Sequence, residues 1–426
     1  MLPPSLSCRA CSPSCTLQAT FFPRLRTSAA TSHALGAKAF HSTPARLSNS
    51  SPPSRISYRV AVSSSGKGCR FPPLKNAYNF DPSISSLIGV TKDKNPTARR
   101  RGRPDSGEDA FFVSRIGSAS ADSDAVAFAV ADGVGGWTES RVDPADFSHG
   151  LCGYMAETAL AWGKSAEKLR PKQLLQTGYD QIVADPTIKA GGSTASVGVA
   201  LPDGRVELAN LGDSGSVLLR RAAVHHYSIP QTHGFNTPYQ LSIIPPRMRA
   251  QASTFGGAYL EDFPRDAAVT NVQMQHGDVL MLATDGVFDN LNNQDILKLV
   301  TSRMILTGAW TAAPDVAVNV SNHLAALTVP GGLAEAFHPP SSSESTRDDH
   351  DDLSKRLESN LTLQSLLAAS VAGEAKLASV DFRRDGPFAK EAQRYYPGDY
   401  YRGGKVDDIC ALILVAVDES LVASSE

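Results

Sequence analysis

Aspartate and glutamate are missing from the first 80 residues of this 426-residue chain, where ten Lys and Arg side chains precede the first acid, Asp81. Cysteine is scarce. Three of the six, Cys8, Cys11 and Cys15, fall in the first 50 residues, and Cys69, Cys152 and Cys410 are scattered downstream. No disulfide framework is visible, so a reducing compartment is expected. Cys8 and Cys11 are spaced like half a zinc site, but no second pair follows at the spacing such a site needs. No apolar run approaches the ~18 to 20 residues that cross a membrane, which excludes a spanning helix. A strong net charge is lacking too: 41 Lys and Arg against 43 Asp and Glu leave −2, which argues against a nucleic-acid binder. With 42% hydrophobic and 20% charged residues the composition is that of a globular protein and excludes a fibrous or collagenous one.

The charge is unevenly placed. Subtracting the ten bases of residues 1–80 leaves 31 Lys and Arg against 43 acids, or −12, for the remainder. Fifteen of the first 65 residues are Ser. Arg- and Ser-rich, acid-free composition marks an organelle transit peptide, whereas the apolar stretch Leu17 to Leu25 is broken by Pro23 and Arg24 and makes no secretory signal. Residues 1–50 are therefore expected to be a disordered mitochondrial transit peptide and 51–80 a linker, with the folded domain at 81–420. A disordered tail on a cytosolic protein is the other reading of the same composition. Residues 339–352 (PPSSSESTRDDHDD) carry no apolar side chain and are expected to be a disordered surface insertion.

Between these segments lie short runs of Val, Leu, Ala and Ile separated by Asp-Gly turns. Ala125 to Ala131, Thr194 to Leu201, Arg205 to Ala209, Ser216 to Arg220, Val279 to Ala283 and Ile409 to Val417 read as strands. Their near-continuous apolarity requires cover on both faces. A layered α+β fold of αββα type, a two-sheet antiparallel β-sandwich flanked by helices, supplies that cover. Helical spacing occurs at Gly150 to Lys168, Pro171 to Ala184, Asp295 to Met304, with Asn293 or Asp295 as cap, and Leu353 to Ala378.

Acidic residues recur where the strands end. Glu108-Asp109 precedes an apolar run, Asp132-Gly133 closes the Ala125 strand, Asp285-Gly286 closes the Val279 strand, and Asp407-Asp408 precedes the Ile409 strand. A single Asp-Gly is most simply a hairpin turn. Four carboxylate sites at strand termini are another matter, because gathered at one end of a sandwich they repel unless a divalent cation neutralises them. An all-oxygen donor set selects Mg²⁺ or Mn²⁺. Paired ions of this kind hold phosphoryl oxygens and lower the pKa of a bridging water, which then attacks phosphorus in line. No cysteine sits in a phosphate-cradling loop and no Walker sequence occurs, so thiol phosphatase and nucleotide kinase readings lose support.

The ordered set Gly107-Glu-Asp-Ala110, Asp132-Gly-Val-Gly-Gly136, Gly192-Ser-Thr-Ala195, Leu211-Gly-Asp-Ser-Gly215, Ala283-Thr-Asp-Gly-Val-Phe-Asp289 and Gly404-Lys-Val-Asp-Asp408 resembles the metal-dependent Ser/Thr protein phosphatases, the PPM family. With Asp132 to Trp137, Phe235-Asn-Thr-Pro-Tyr-Gln-Leu241 and the leader, it is most similar to the mitochondrial matrix branch. The resemblance implies a protein serine/threonine phosphatase with two Mn²⁺ or Mg²⁺ ions at one end of the sandwich. It implies that Asp132 bridges both ions and the Gly133 carbonyl joins one, that Asp285 and Asp407 complete one ion, and that Glu108 and Asp109 hold the other, largely through water. Asp213 and Asp289 match positions that bind a third ion. Asp132 and Asp285 are the catalytic residues on this reading. Phosphorylated mitochondrial proteins are the implied substrates, with ubiquinone biosynthesis among the processes linked to the branch, and a monomer is expected.

Two departures from the family stand out. Val134 occupies the place where relatives often carry a His that protonates the leaving group, a role in which general acids contribute ~10²- to 10⁴-fold. His225 and His226 are candidates for that role only in principle. Upstream, Pro104 stands where many relatives place a phosphate-binding Arg. Arg103, or one of Arg99 to Arg101, is the candidate to replace it, since a guanidinium fork suits phosphate; a solvated basic run or second leader-like tract is the other reading of these arginines. Asp408 either supports Asp407 by hydrogen bonding or shares its ligand role. Trp137 is read as a packing residue, with a substrate-facing ring as the other reading, and Thr194 resembles a family core position. Two rivals remain: a non-catalytic phosphoprotein-binding pseudophosphatase, and a small-molecule phosphohydrolase on the same metals.

Overall fold

A computed structural model of the chain describes residues 55–91, 93, 95–117, 124–254, 259–313, 318–337 and 361–422. The expected transit peptide at 1–50 and insertion at 339–352 lie outside the described residues. Two six-stranded antiparallel sheets form the centre. In one the order is Ala223–Tyr227, Gly215–Arg220, Val279–Ala283, Ile409–Asp418, Ile56–Ser65, Ala77–Phe80. In the other it is Ala268–Gln273, Arg205–Leu211, Ala195–Ala200, Val126–Asp132, Asp109–Arg115, Leu87–Ile88.

Strand alternation builds three apolar layers. In Ile409–Asp418, residues Cys410, Leu412, Leu414 and Ala416 face the opposite sheet, while Ile409, Ala411, Ile413, Val415 and Val417 face helices Asn293–Leu306 and Leu363–Ser379. In Val126–Asp132, Val126, Phe128 and Val130 point into the sandwich. Ala127, Ala129 and Ala131 point outward under helices Pro144–Leu160 and Pro171–Ala184. The small alanines let a helix approach the sheet closely. The layered αββα architecture expected from doubly covered strands is the one observed.

The expected linker is corrected. Residues 56–65 form a ten-residue strand that pairs along its whole length with Ile409–Asp418, and residues 77–80 add the neighbouring edge. The strand reads Ile-Ser-Tyr-Arg-Val-Ala-Val-Ser-Ser-Ser, and its Ser and Arg disguise its alternation. Ser63, Ser64 and Ser65 are buried in the sheet all the same. The first outer helix also begins earlier than expected. Asp143 caps it by accepting from the Ala145 N–H at 3.1 Å, Pro144 fills the first turn, and the helix ends at Leu160 rather than Lys168. Asn292 caps the Asn293–Leu306 helix, with Asp295 closing a capping box. The described part of the Leu353–Ala378 expectation is the helix Leu363–Ser379, capped by Thr362.

Candidate metal centre

At one end of the sandwich both sheets deliver carboxylates, because acids stand where strands stop. Asp109 opens one strand and Asp132 ends its neighbour, and the two are direct partners across the ladder. Asp285 follows Val279–Ala283 through Thr284 and opens the short helix Asp285–Phe288. Asp407 and Asp408 immediately precede Ile409, and Asp213 sits in the turn between Arg205–Leu211 and Gly215–Arg220. One carboxylate oxygen each from Asp132, Asp213 and Asp285 lie within 4.8 Å of one another.

The cluster is braced from behind. Thr284 Oγ1 donates to Asp109 Oδ2 at 2.7 Å and accepts from the Cys410 N–H at 3.1 Å, tying the sheets together. Thr194 Oγ1 accepts from the Asp132 N–H at 3.1 Å, and Ser193 Oγ donates to the Asp132 carbonyl at 2.8 Å. Asp408 takes the Glu108 N–H on Oδ2 at 2.8 Å and the Lys67 N–H on Oδ1. Both its oxygens thus accept backbone N–H groups, one of them from the first acidic motif, which favours the supporting role over a shared ligand role. Gly107 makes this possible: at φ +67°, a Cβ would fall 2.1 Å from Asp408 Oδ1. At Gly133 a Cβ would meet the Glu108 and Pro144 carbonyls, each at 2.9 Å.

Burial and crowding shift the acids upward. Burial, then the charges of Asp408 and Asp407, push Glu108 up to about 7. Burial first, and then Asp408 for Asp109 and Asp285 for Asp132 and Asp289, hold those three carboxyls well above the usual range. Asp213 is raised by burial and by Asp285. Asp109 Oδ1 and Asp213 Oδ1 are buried without a hydrogen-bond partner. A set of crowded, oxygen-only, under-satisfied ligands fits a hard divalent cation, which would supply the missing partner and reverse the protonation tendency.

Lys405, within Gly404-Lys-Val-Asp-Asp408, joins the cluster without any sign of it in the sequence. Its Nζ lies 2.6 Å from Asp285 Oδ2, 2.7 Å from Asp289 Oδ2 and 3.0 Å from Asp407 Oδ2. Burial alone would lower its pKa, but these three carboxylates raise it. His149 was missed as well. Its ring is buried behind the Gly107 to Asp109 backbone, with Nε2 unpartnered, and burial followed by the Arg103 charge pushes it down to about 3. No local pattern marks either residue, since each is defined by groups remote in sequence.

Arg103 is paired with carboxylates of its own fold. Its guanidinium bonds Asp143, at 3.2 Å, and Asp146, and Arg100 also bonds Asp146. Arg99 reaches Asp185 and Thr187. These arginines line a cavity of about 310 Å³ together with His149 and Tyr154. His225 and His226 lie on the edge strand, the first exposed and the second half-buried with Nε2 3.4 Å from Ser216 Oγ. Trp137 is buried and donates to Gln240 Oε1 at 3.0 Å, as a packing residue would. A second cavity of about 310 Å³ opens beside Asp213, Asp285 and Asp289 and is walled by Tyr227, Phe235, Phe288 and Phe388.

Comparison with known proteins shows the family of the chain. The protein phosphatase 2C family model matches residues 98–325. "Protein phosphatase 2C homolog 7, mitochondrial" of Saccharomyces cerevisiae is 41% identical over 225 residues, covering 52% of this chain and 63% of that protein. The "5-azacytidine resistance protein azr1" of Schizosaccharomyces pombe is 31% identical over 334 residues, covering 77% of this chain and 89% of that protein. The human "Protein phosphatase PTC7 homolog" is 39% identical over 193 residues, covering 45% and 59%. The chain thus spans less than two thirds of the S. cerevisiae and human proteins. Among solved structures, that of the photosystem II phosphatase PBCP aligns with a TM-score of 0.48 at 24% identity, over 77% of this chain and 98% of that one. The family match over more than half the sequence and the pombe relative, matched over most of its length, establish that the chain belongs to the protein phosphatase 2C family.

Proposed function

We propose that the chain is a metal-dependent phosphatase of phosphoserine and phosphothreonine proteins, acting in the mitochondrial matrix on phosphorylated mitochondrial proteins. The carrying observation is the meeting of Asp132, Asp213 and Asp285 oxygens within 4.8 Å at a sheet end where Glu108, Asp109 and Asp407 also converge. Two Mn²⁺ or Mg²⁺ ions bound there would supply charge neutralisation and an activated water. Asp132, between the two sheets' contributions, is suited to serve both ions, with the Gly133 carbonyl beside it. Asp285 and Asp407 would help hold one ion, and Glu108 and Asp109 the other. Asp408 acts behind them by fixing the Glu108 backbone.

The cavity beside Asp289 gives the substrate chain a place to lie, with aromatic walls for residues flanking the phosphorylated one. Val134 offers no proton, so protonation of the leaving alkoxide falls to solvent at the site. Arg103, held by Asp143 and Asp146, contributes to phosphate binding only if it exchanges those carboxylates for the substrate. The arginine- and serine-rich leader and the mitochondrial label of the S. cerevisiae relative support the address. The test compares phosphate release from phosphoserine, phosphothreonine and phosphotyrosine peptides and from sugar phosphates, with Mn²⁺ present. Release from the first two supports the proposal. Preference for sugar phosphates would move the chain to the small-molecule phosphohydrolases, and binding without turnover would make it a pseudophosphatase.

A further inference from the structure

Among the described residues two ammonium groups reach the acidic cluster, and they differ in kind. Lys67 is 60% exposed and stands 3.4 Å from Asp407 Oδ1, an ordinary surface contact. Lys405 is 16% exposed, and its three N–H donors have three carboxylate partners, on Asp285, Asp289 and Asp407. Its backbone is fixed as well. The Lys405 N–H donates to Asn290 Oδ1 at 3.0 Å, and the Lys405 carbonyl accepts from Asn290 Nδ2 at 2.9 Å. Asn290 Nδ2 also donates to the Gly286 carbonyl at 2.9 Å, so the lysine is keyed to the turn that bears Asp285 and Asp289. The Phe388 ring, with its centroid 5.2 Å from Nζ, covers the ammonium from the cavity side.

Three carboxylate oxygens 2.6 to 3.0 Å from one nitrogen form the shell a cation requires. Asp289 is turned to that nitrogen, whereas Asp213 presents an oxygen to Asp132 and Asp285 instead. The residues expected to share a third ion are therefore divided between two different tasks. A divalent ion placed between Asp285 and Asp289 would also have to sit against the ammonium, and like charges at such range repel strongly.

We propose that Lys405 is a resident cation that fills the place of a third ion, so that this chain binds two divalent ions and Asp289 serves the lysine rather than a metal. This rests on the two-ion reading above. Lys405 is then a positioning residue, holding Asp285 and Asp407 by one oxygen each, while Asp407 Oδ1 is oriented by the Asp408 N–H at 3.1 Å.

The test is calorimetric titration of the metal-stripped full chain with Mn²⁺, read as ions bound per chain. Two ions are expected for the wild type and for Lys405→Arg, and three for Lys405→Met, returning to two in Lys405→Met with Asp289→Asn. Three ions in the wild type would overturn the inference while leaving the paired-ion mechanism intact. Two in a folded Lys405→Met would also overturn it. Should Lys405→Met not fold, Asp289→Asn alone decides: an unchanged stoichiometry of two supports the proposal, and loss of an ion refutes it. A wild type that binds no ion would instead remove the two-ion reading itself.

Discussion

Asp132 and Asp285 have no substitute in this arrangement, since each brings its oxygen into the 4.8 Å cluster from a different sheet. Replacing either with Ala should lower phosphate release from a phosphoserine peptide by more than about 10²-fold, a loss typical of removing a preorganised charge-stabilising group. Retention of most activity in either variant would refute the roles given to them. The raised carboxyls carry a second expectation. Glu108 ordinarily titrates near 4.5 and is pushed up to about 7 in the fold without metal, so the folded state binds the proton more tightly. That contribution is fully present below the unfolded value and is lost as pH rises through about 7. His149, pushed down from 6.5 to about 3, acts in the opposite sense but only as pH falls below 6.5. In EDTA the melting temperature should therefore rise as pH is lowered from 8.5 to 6.5, and saturating Mn²⁺ should remove that rise. A metal-free melting point that falls over the same interval would contradict the picture. The acids were legible in the sequence because each stands beside a glycine or an apolar run at a strand end. Lys405 and His149 were not, because a buried charge or a neutral imidazole is created by partners that only folding brings near.

Each acid is aimed by the element that carries it, and two elements are exposed to direct test. Residues 56–65 pair residue by residue with the strand that follows Asp408, so they align the site although they contribute no ligand. A chain beginning at residue 52 should fold, and one beginning at residue 66 should be recovered unfolded or insoluble by circular dichroism and gel filtration. A soluble, active chain from residue 66 would show that the strand is dispensable. Gly286 lies where a Cβ would come 1.8 Å from the Asp408 carbonyl oxygen. Gly286→Ala should cost at least ~2 kcal/mol in denaturant melts, since backbone rather than a flexible side chain must give way. It should reduce activity as well, because the turn positions Asp285. The Pro171–Ala184 helix matched its expected bounds, because Pro171 and the apolar period mark both start and face. The Ile56–Ser65 strand was hidden, since its serines and basic neighbour resemble the leader that precedes it.

At the largest scale the described residues form three apolar layers, two between sheet and helices and one between the sheets, with crowded carboxylates gathered at one end. The αββα order followed from the double cover that such apolar strands need, and that much was readable before any coordinates. The closeness of the acids was not, because spacing along the chain does not fix which strand ends meet. Crowding of this kind opposes folding until cations arrive, so stability should depend on metal. Mn²⁺ at 100 times its dissociation constant should add about 2.7 kcal/mol, if it binds only the folded state. Anomalous X-ray diffraction from crystals grown with Mn²⁺ addresses the central point. Two peaks about 3.5 to 4 Å apart, both touching Asp132 and one of them Asp285 and Asp407, are the predicted result. Manganese elsewhere on the surface, or none within reach of Asp132, would contradict the account.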